Sequence, residues 1–353
     1  MRIVYNSFHG RYADNPRVVY ERLAERPDID QVWLVDESHA GSFPSDAGTV
    51  AIDSREAVRA LESADLVIAN THTEVDWDKG SGTTYVQTWH GTPLKRVHRD
   101  VLWAPEGRLD RLDQDVARWD LLVSPNAAST PRLRSAFRFE GEVLEIGYPR
   151  NDVLSANDLP ERRAEVLQRL GVDPDATVVL YAPTWRDDEA FQDGLPPVPL
   201  ALDLGALSKA LGPGHVVLAR LHPQMTGRSP IPSSPAVRDV SAVPDVCDLY
   251  LAADVLVTDY SSCMFDFAIT GRPMVFFTYD LERFRDSVRG FYFDFVPEAP
   301  GPLVSTADEL AEALRSPLVL PERHAAFKEK YCYLEDGHAT DRLLTRLGLG
   351  STS

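Results

Sequence analysis

Two histidines each end or follow an apolar run that predicts a buried strand, one in each half of the chain. His90 comes shortly after Tyr85–Thr88, and His222 follows Val216–Leu221. Near neutral pH an imidazole can take a proton from an attacking hydroxyl or donate a hydrogen bond to a phosphate oxygen. The pattern therefore indicates chemistry at strand ends, and it also fits turn histidines that only cap the next segment.

The first of these histidines lies in W-H-G-T-P-L-K at residues 89–95. Gly91 would leave room for a substrate to approach the backbone, and Pro93 would fix the turn. Thr92 and Lys95 add a hydroxyl and an ammonium group to the same segment. We expect Gly91, Thr92 and Lys95 to line a cleft; the family resemblance described below implies that this is its acceptor side.

The second histidine has an arginine, Arg220, two residues before it on the same strand face. Guanidinium and imidazole groups both donate charge-assisted hydrogen bonds, which suit the oxygens of a diphosphate. A strand-end histidine satisfied by protein groups is the competing interpretation. Because each half carries one such histidine, the two could face each other across a cleft.

A third strand, Val255–Thr258, runs through Asp259 into two serines and a predicted helix. Ser261 and Ser262 would stand at the helix N-terminus, where free N–H groups and small hydroxyls form a phosphate site. Capping of the helix by either serine is the simpler alternative, and one geometry serves both roles. Thr258 and Asp259 belong to the same candidate phosphate site, in which Asp259 would either orient a bound group or be purely structural.

A fourth strand, Val178–Tyr181, is followed by Thr184 and Arg186. Both are candidate contacts for a phosphate or for the acceptor. The alternative is a loop in which Arg186 pairs with Asp187 or Asp188.

Residues 94–103, L-K-R-V-H-R-D-V-L-W, interleave apolar and basic side chains. This pattern resembles an amphipathic segment that binds a membrane surface or an acceptor. A solvated helix with one face in the core produces the same pattern more often.

Apolar runs that alternate with helix-period segments must position these residues. Runs that are apolar throughout and separated by helices predict parallel sheets covered on both faces, hence a doubly wound α/β architecture. In such folds ligands bind beyond the carboxyl ends of the strands, where the residues above lie. The predicted strands are Ile3–Ser7, Val32–Val35, Leu66–Ala69, Tyr85–Thr88, Leu121–Ser124, Val143–Ile146, Val178–Tyr181, Val216–Leu221, Val255–Thr258 and Met274–Phe277. The predicted helices include Pro16–Glu25, Arg55–Glu62, Ala127–Phe137, Glu161–Leu170 and Met264–Thr270.

Composition restricts the function classes. The 353 residues carry a formal net charge of -18, which argues against a nucleic-acid partner and requires a local basic pocket for any phosphorylated substrate. The three cysteines show no metal-binding spacing, so we expect reduced, buried thiols and no metal site. Neither a dinucleotide glycine fingerprint nor a P-loop occurs. No secretory leader or apolar run of membrane-spanning length occurs either, which predicts a cytoplasmic protein.

The ordered series of motifs closely resembles the CDP-glycerol glycerophosphotransferase family, the teichoic acid polymerases and primases. The resemblance begins at Ser7–Pro16 and spans almost the whole chain. Each string alone is weakly specific, whereas their order is strongly so. The matching strings are W-H-G-T-P-L-K at 89–95, G-Y-P-R-N-D at 147–152, Y-A-P-T-W-R at 181–186, H-P at 222–223, T-D-Y-S-S-C-M-F-D-F-A at 258–268, R-P-M-V-F-F at 272–277, R-G-F-Y-F-D-F at 289–295 and D-G-H-A-T at 336–340.

The resemblance implies two facing Rossmann-like domains of the GT-B type, with the donor site in the second. By the same resemblance His90 is the catalytic base toward the acceptor hydroxyl, and His222 contacts the donor diphosphate. Ser261 and Ser262 would hold donor phosphates, with Arg289 as a further candidate. His9, Arg150 and Asn151 fall in matching strings and are expected on the acceptor or cleft side.

The implied substrates are a CDP-glycerol or related CDP-polyol donor and a lipid-linked glycan or polyol-phosphate acceptor. No cofactor is expected, although magnesium could accompany the donor. We predict an N-terminal acceptor domain at 1–155, a donor domain at 156–335 and a C-terminal helix at 336–353 that packs back on the first domain. A lipid-linked acceptor implies peripheral contact with the inner membrane surface. Two features weaken the case for processive polymerisation there: the chain is acidic, and the catalytic pattern begins at its first residues.

Two other functions fit parts of the pattern. A nucleotide-sugar glycosyltransferase of the same architecture would break a sugar C–O bond and release a nucleoside diphosphate. A non-catalytic nucleotide-binding module of a cell-wall assembly complex is disfavoured because both histidines are present.

Overall fold

The strands form two sheets, one in each half of the chain. The computed structural model describes residues 1–186, 199–222, 225–226, 228–232, 234–316 and 320–350. Within them a seven-stranded sheet has the order β3-β2-β1-β4-β5-β6-β7, and a six-stranded sheet has the order β10-β9-β8-β11-β12-β13. The strands, all parallel to their neighbours, are β1 Arg2–Asn6, β2 Asp30–Val35, β3 Gly48–Ala51, β4 Leu66–Ala69, β5 Thr84–Gln87, β6 Leu121–Ser124, β7 Glu142–Glu145, β8 Thr177–Tyr181, β9 His215–Ala219, β10 Val237–Asp239, β11 Val255–Thr258, β12 Met274–Phe277 and β13 Leu303–Val304.

Helices connect the strands and cover the sheets. They are Asp14–Arg22, Arg55–Glu62, Arg108–Val116, Thr130–Phe137, Leu159–Leu170, Leu204–Leu211, Val246–Ala252, Cys263–Ile269, Leu281–Arg283, Phe295–Glu298, Ala307–Arg315, Glu322–Tyr331 and Ala339–Arg346, with 3₁₀ turns at Glu37–Ser42, His98–Asp100 and Pro149–Ser155 and a π turn at Phe284–Val288.

Burial of both sheet faces explains the uniformly apolar strands. Every residue of Leu66–Ala69 and of Val255–Thr258 is buried. Such strands lose solvent from both faces only when helices pack on each side, which gives the predicted doubly wound α/β architecture. Each sheet has its order reversal at its first strand, where β1 meets β4 and β8 meets β11. These are the points at which such folds bind ligands.

The last helix, Ala339–Arg346, packs on the first sheet although its sequence follows the second. Leu343 and Leu344 belong to the same buried cluster as Ile3 and Tyr5. The predicted limits of the domains, at 155 and 335, remain predictions. No helix of the described ranges is long and apolar enough to cross a membrane.

Sequence periodicity located ten of the thirteen described strands within two residues of their observed ends, including the edge strand Glu142–Glu145, and missed the other three edge strands. Gly48–Ala51, Val237–Asp239 and Leu303–Val304 were not predicted, and each is an edge strand of two to four residues. Short edge strands lack the buried apolar run that makes a central strand recognisable.

Candidate functional site

The candidate site lies where the carboxyl ends of the two sheets face each other. His90 follows β5 of the first sheet, whereas His222 and Asp259 follow β9 and β11 of the second. Burial, followed by the charge of Lys95 and by the protonated form of His90, lowers the pKa of His222, so these groups of the two halves lie within electrostatic range of one another. The fold therefore brings together the strand-end groups of both halves.

The His90 ring is held in the orientation that a base requires. Its Nδ1 atom lies 2.5 Å from the carbonyl oxygen of Asn70. Because a carbonyl only accepts, Nδ1 carries the proton of the neutral ring and Nε2 is left as the proton acceptor. Rings of Phe8 and Trp89 pack beside it, with centroids 5.2 and 4.2 Å away. Burial lowers the pKa of His90, which keeps the ring neutral and basic at pH 7.

The space beside Gly91 is occupied by the other half of the protein, which corrects the expectation that it admits a substrate. A Cβ atom on Gly91 would lie 2.7 Å from Oγ and 3.0 Å from Cβ of Ser262. Glycine is thus needed for a close approach between the segment of the base and the start of the helix Cys263–Ile269. The Ser261 hydroxyl accepts a hydrogen bond from the Cys263 N–H at 3.4 Å, so capping is part of its role.

His222 is solvent-accessible and its ring stacks on Trp185, with centroids 5.0 Å apart and planes 8° from parallel. The surrounding protein, followed by the charges of Lys95, His90 and Arg11, lowers the pKa of His222. A bound phosphate would raise that pKa, since a nearby negative charge favours the imidazolium.

Arg11 is a member of this basic group that the sequence interpretation did not single out. Burial and the neighbouring charge of Arg220 lower the pKa of Arg11, and Asp36 opposes them. An anion bound between these two guanidinium groups would be stabilised by both charges. Arg11 stood in a matching string of the N-terminal segment, but nothing in its spacing distinguished it from a surface arginine.

Lys95, Arg289 and Thr184 join the two halves at the edge of the site. Lys95 Nζ lies 3.5 Å from Thr184 Oγ1, and Arg289 Nε donates to the Arg96 carbonyl at 3.1 Å. Arg289 is also one of the cations near His222. Lys95 and Arg289 therefore make contacts between the halves at the edge of the site, and their roles toward a substrate stay predictions.

Arg186 lies in the wall of a small pocket that Thr184 and Asp259 also line, and carboxylates of the protein already bind its guanidinium group. It is 4% exposed, and its guanidinium binds Asp259 at 3.0 Å and Asp280 at 2.8 Å. The other Asp259 oxygen accepts the Thr184 N–H at 2.9 Å. A direct phosphate contact by Arg186 or Asp259 is therefore disfavoured, because their charges already neutralise each other in the interior. The alternative partners, Asp187 and Asp188, lie outside the described residues.

Arg150 and Asn151 are likewise interior residues, contrary to the expectation that they line the acceptor side. Arg150 is 3% exposed and bridges Asp14 of the first half, at 2.7 Å, and Asp266 of the second, at 2.8 Å. Asn151 donates to the same Asp266 carboxylate at 3.0 Å. Both residues hold the junction between the halves.

The remaining predicted residues occupy different depths. Thr258 is fully buried and donates its hydroxyl to the Ala182 carbonyl at 2.7 Å, so it does not present that hydroxyl to a donor. Arg220 is partly buried and donates to the Val243 carbonyl at 2.6 Å. Thr92 is buried, whereas His9 is exposed in a left-handed turn with a φ of 59°.

The basic run at 94–103 is not an amphipathic helix. Only His98–Asp100 forms a short 3₁₀ turn, and Lys95 pairs as an isolated antiparallel bridge with Phe291 of the second half. Leu102 and Trp103 are nevertheless exposed, by 47% and 61%. The start of the run contacts the second half through Leu94 and Lys95, whereas His98 and Arg99 bind groups of the first half.

The described part of the chain contains no cluster of metal-binding side chains, and its cysteines are not placed as reactive thiols. No group of three or more histidine, cysteine or acidic side chains with metal-binding geometry occurs among its residues. Cys247, Cys263 and Cys332 are buried free thiols. Burial raises the pKa of each, so all three remain protonated.

Known proteins match this chain over nearly its full length. The model of the family described as CDP-glycerol:poly(glycerophosphate) glycerophosphotransferase matches residues 1–348. A teichoic acid glycerol-phosphate transferase of Staphylococcus aureus is 40% identical over 97% of this chain and 91% of its own length. A teichoic acid poly(glycerol phosphate) polymerase of Bacillus subtilis is 38% identical over 97% of this chain. This chain spans only 48% of that polymerase.

Solved structures agree with the sequence matches. The wall teichoic acid polymerase TagF, as a histidine-to-asparagine variant with CDPG, superposes with a TM-score of 0.89 at 35% identity, covering 98% of this chain and 88% of that chain. The two-sheet arrangement is therefore of the GT-B type. A UDP-GlcNAc 2-epimerase of Neisseria meningitidis, at 13% identity and a TM-score of 0.56 over 98% of this chain and 99% of its own, shares the fold alone.

Proposed function

The chain belongs to the CDP-glycerol:poly(glycerophosphate) glycerophosphotransferase family, and we propose that it transfers glycerol phosphate from CDP-glycerol to a hydroxyl of a teichoic-acid-like or capsule polymer. CMP is the second product. The acceptor is a lipid-linked glycan or polyol phosphate. Glycerol is favoured over ribitol because relatives named for glycerol phosphate match 96–98% of this chain at 34–40% identity, whereas two relatives named for ribitol phosphate match 58% and 75% of it at 30% and 29%.

This proposal rests on one observation: the neutral base His90 and several cationic side chains lie at the same site. His90 presents an unprotonated Nε2, and His222 lies near Lys95, Arg11 and Arg289 from both halves. A chain of net charge -18 that gathers cations in one place is suited to bind a compact anion there. A diphosphate is such an anion.

In the proposed reaction His90 Nε2 takes the proton of the acceptor hydroxyl. The hydroxyl oxygen then forms a bond to the phosphorus that bears glycerol, and the bond from that phosphorus to the bridging oxygen breaks. The electron pair leaves with CMP. Phosphoryl transfer requires alignment and charge neutralisation more than covalent help, so a positioned base and a cationic pocket suffice.

His222 would stabilise the departing CMP. Its stacking on Trp185 fixes the plane of the His222 ring. Less conformational entropy is therefore lost when a phosphate binds to this ring. As negative charge grows on the leaving oxygen, protonation of His222 becomes more favourable. Arg220 and Arg11 would share the remaining phosphate charge, and Ser262 would contribute its hydroxyl and backbone N–H.

We also propose that the chain acts in the cytoplasm with peripheral contact to the inner membrane face. Exposed Leu102 and Trp103 near the exposed Arg96 support this contact. Sedimentation with vesicles of anionic phospholipid measures it. Trp103→Ala should weaken the binding, and equal binding of both proteins would refute the role of this surface.

The reaction is proposed to need no resident cofactor, with magnesium at most accompanying the donor. Turnover in excess EDTA, compared with turnover in magnesium, tests this directly. Activity that disappears with EDTA and returns with magnesium would contradict it.

The decisive experiment offers CDP-glycerol and CDP-ribitol with short lipid-linked acceptors and measures CMP and product mass. We expect CMP together with products heavier by one or more glycerol phosphate units. The alternative, a nucleotide-sugar glycosyltransferase, is not favoured by the family match. Release of a nucleoside diphosphate from a sugar donor would support that alternative, and donor binding without turnover would indicate a non-catalytic module.

A further inference from the structure

The residue before the proposed base has an unfavourable backbone conformation. Trp89 has a φ of 54°, in the left-handed region that bulky residues rarely adopt. Such conformations persist only when surrounding bonds fix them, and they concentrate at functional sites. Because His90 follows directly, the conformation at Trp89 sets the direction in which the His90 side chain leaves the backbone.

Side-chain amides hold Trp89 in this conformation from both sides. Its N–H donates to Gln87 Oε1 at 2.8 Å, and its carbonyl accepts from Asn15 Nδ2 at 2.9 Å. The Thr88 hydroxyl adds a bond to the same carbonyl at 3.1 Å. Gln87 and Thr88 are sequence neighbours of Trp89, so Asn15 is the contact that reaches it from a distant element.

Asn15 also contacts the junction between the halves. It is fully buried in the first turn of the helix Asp14–Arg22, and its Oδ1 accepts the Arg150 N–H at 3.0 Å. The Arg150 side chain in turn binds Asp266 in the helix that begins after Ser262. One amide therefore joins the turn of the base to the segment that holds the candidate donor-phosphate helix.

We propose that Asn15 is a positioning residue, which fixes the Trp89 turn and thereby aims His90 at the reacting hydroxyl in register with the donor half. The inference rests on the proposed function, in which His90 is the base. Loss of Asn15 leaves the Trp89 carbonyl with the Thr88 hydroxyl as its remaining side-chain donor, and the turn relaxes toward a right-handed conformation. The His90 ring then moves relative to the Asn70 carbonyl that selects its tautomer.

Asn126 offers a matched control because it is an equally buried asparagine with the same bonding pattern elsewhere. Its Nδ2 donates to the Tyr331 carbonyl at 2.7 Å, and its Oδ1 accepts the Ser129 N–H at 2.9 Å. Asn15→Ala and Asn126→Ala should therefore lose comparable numbers of hydrogen bonds. Only the first should change the base.

The test measures steady-state kinetics with CDP-glycerol and the tautomer of His90 by ¹⁵N NMR of the histidine ring, assigned by the signal lost in His90→Ala. For Asn15→Ala we expect kcat to fall about tenfold or more with the donor KM changed less than about twofold, because a misaimed base slows chemistry and leaves donor binding intact. The His90 signal should move from the Nδ1–H tautomer toward a mixture. Asn126→Ala should keep the wild-type kcat and the wild-type signal.

Equal losses of kcat in both variants, or an unchanged His90 signal and kcat in Asn15→Ala, would overturn the inference. Should Asn15→Ala fail to fold, Asn15→Asp decides, since it keeps the volume and the bond from the Arg150 N–H but places a carboxylate oxygen against the Trp89 carbonyl. An unaltered His90 tautomer and kcat in that variant also overturn the inference. A wild-type protein that releases no CMP contradicts the proposed function instead, while the NMR comparison still decides the positioning.

Discussion

A Cβ atom on Gly91 would come within 2.7 Å of the Ser262 hydroxyl. The segment of the proposed base and the start of the donor-side helix can therefore pack this closely only because residue 91 has no side chain. Neither residue is close to the other in sequence, and each comes from a different sheet. The contact ties the geometry of the base to that of the phosphate site.

Gly91→Ala should therefore impair activity by separating the two segments. Its methyl group must displace Ser262, and we expect a higher donor KM together with a lower kcat. Gly41→Ala is the matched control, because nothing lies within 4 Å of a Cβ at Gly41. Adding Ser262→Gly to Gly91→Ala should relieve the clash. Steady-state rates of CMP release measure both effects, and wild-type rates in Gly91→Ala would contradict the contact.

His90→Ala should abolish turnover and preserve donor binding. Removing a general base typically costs about 10² to 10⁴ in rate, whereas the cations that hold the donor remain. Calorimetry with a donor analogue and CMP release measure the two properties separately. His338→Ala, an exposed histidine paired with Asp341 at the surface, is the control. Persistent turnover in His90→Ala means that another group is the base.

The pH dependence should place the acid limb of kcat/KM below the ordinary histidine range near 6.5. Only the neutral ring accepts a proton, so activity falls as pH drops through the pKa of His90, which burial lowers. Lys95 is among the charges that lower this pKa, so Lys95→Met should move the limb to higher pH. A pH–rate profile of each protein measures the shift. A limb above the ordinary range would contradict burial of the base.

His222→Ala should weaken donor binding about tenfold or more and also slow turnover, since a hydrogen bond to a charged group is worth about 1.5–3 kcal/mol. Trp185→Leu should act in the same direction but less strongly, because it removes only the stacking partner. Calorimetry with a donor analogue measures the first effect. Unchanged affinity in His222→Ala would place the diphosphate elsewhere.

Arg150→Met should destabilise the protein by about 3–5 kcal/mol, because it leaves the buried carboxylates of Asp14 and Asp266 without a partner. Arg2→Met, which removes an exposed pair with Asp30, should cost less than about 1 kcal/mol. Chemical denaturation measures both. Adding Asp14→Asn and Asp266→Asn to Arg150→Met should recover much of the loss. A small effect in Arg150→Met alone would contradict a buried bridge.

The sequence predicted the central strands and the residues at their ends because local pattern determines both. A strand buried on two faces must be apolar throughout, and the chain leaves it at the sheet edge where ligands bind. His90, His222 and Ser262 were found in this way. Arg11 was not, since only folding brings it within electrostatic range of Arg220.

The sequence could not tell which polar residues face the cleft and which lie beneath it. Arg150, Arg186 and Thr258 share the strand-end positions of the cleft residues, yet each is buried and bonded to protein groups. Their partners Asp266, Asp280 and Ala182 are distant in sequence or lie on a neighbouring strand. The tertiary packing around a charged side chain decides whether it can bind a substrate or is already paired with another charged group of the protein.

The amino-acid sequence by itself thus determined the two-sheet fold, the family and the strand-end histidines, because these follow from hydrophobic periodicity and from motifs in fixed order. Tertiary structure alone decided the tautomer of His90, the closure of Gly91 by Ser262 and the burial of Arg150. Each of these depends on a contact between segments far apart in the chain, and no spacing within one segment encodes the position of the other.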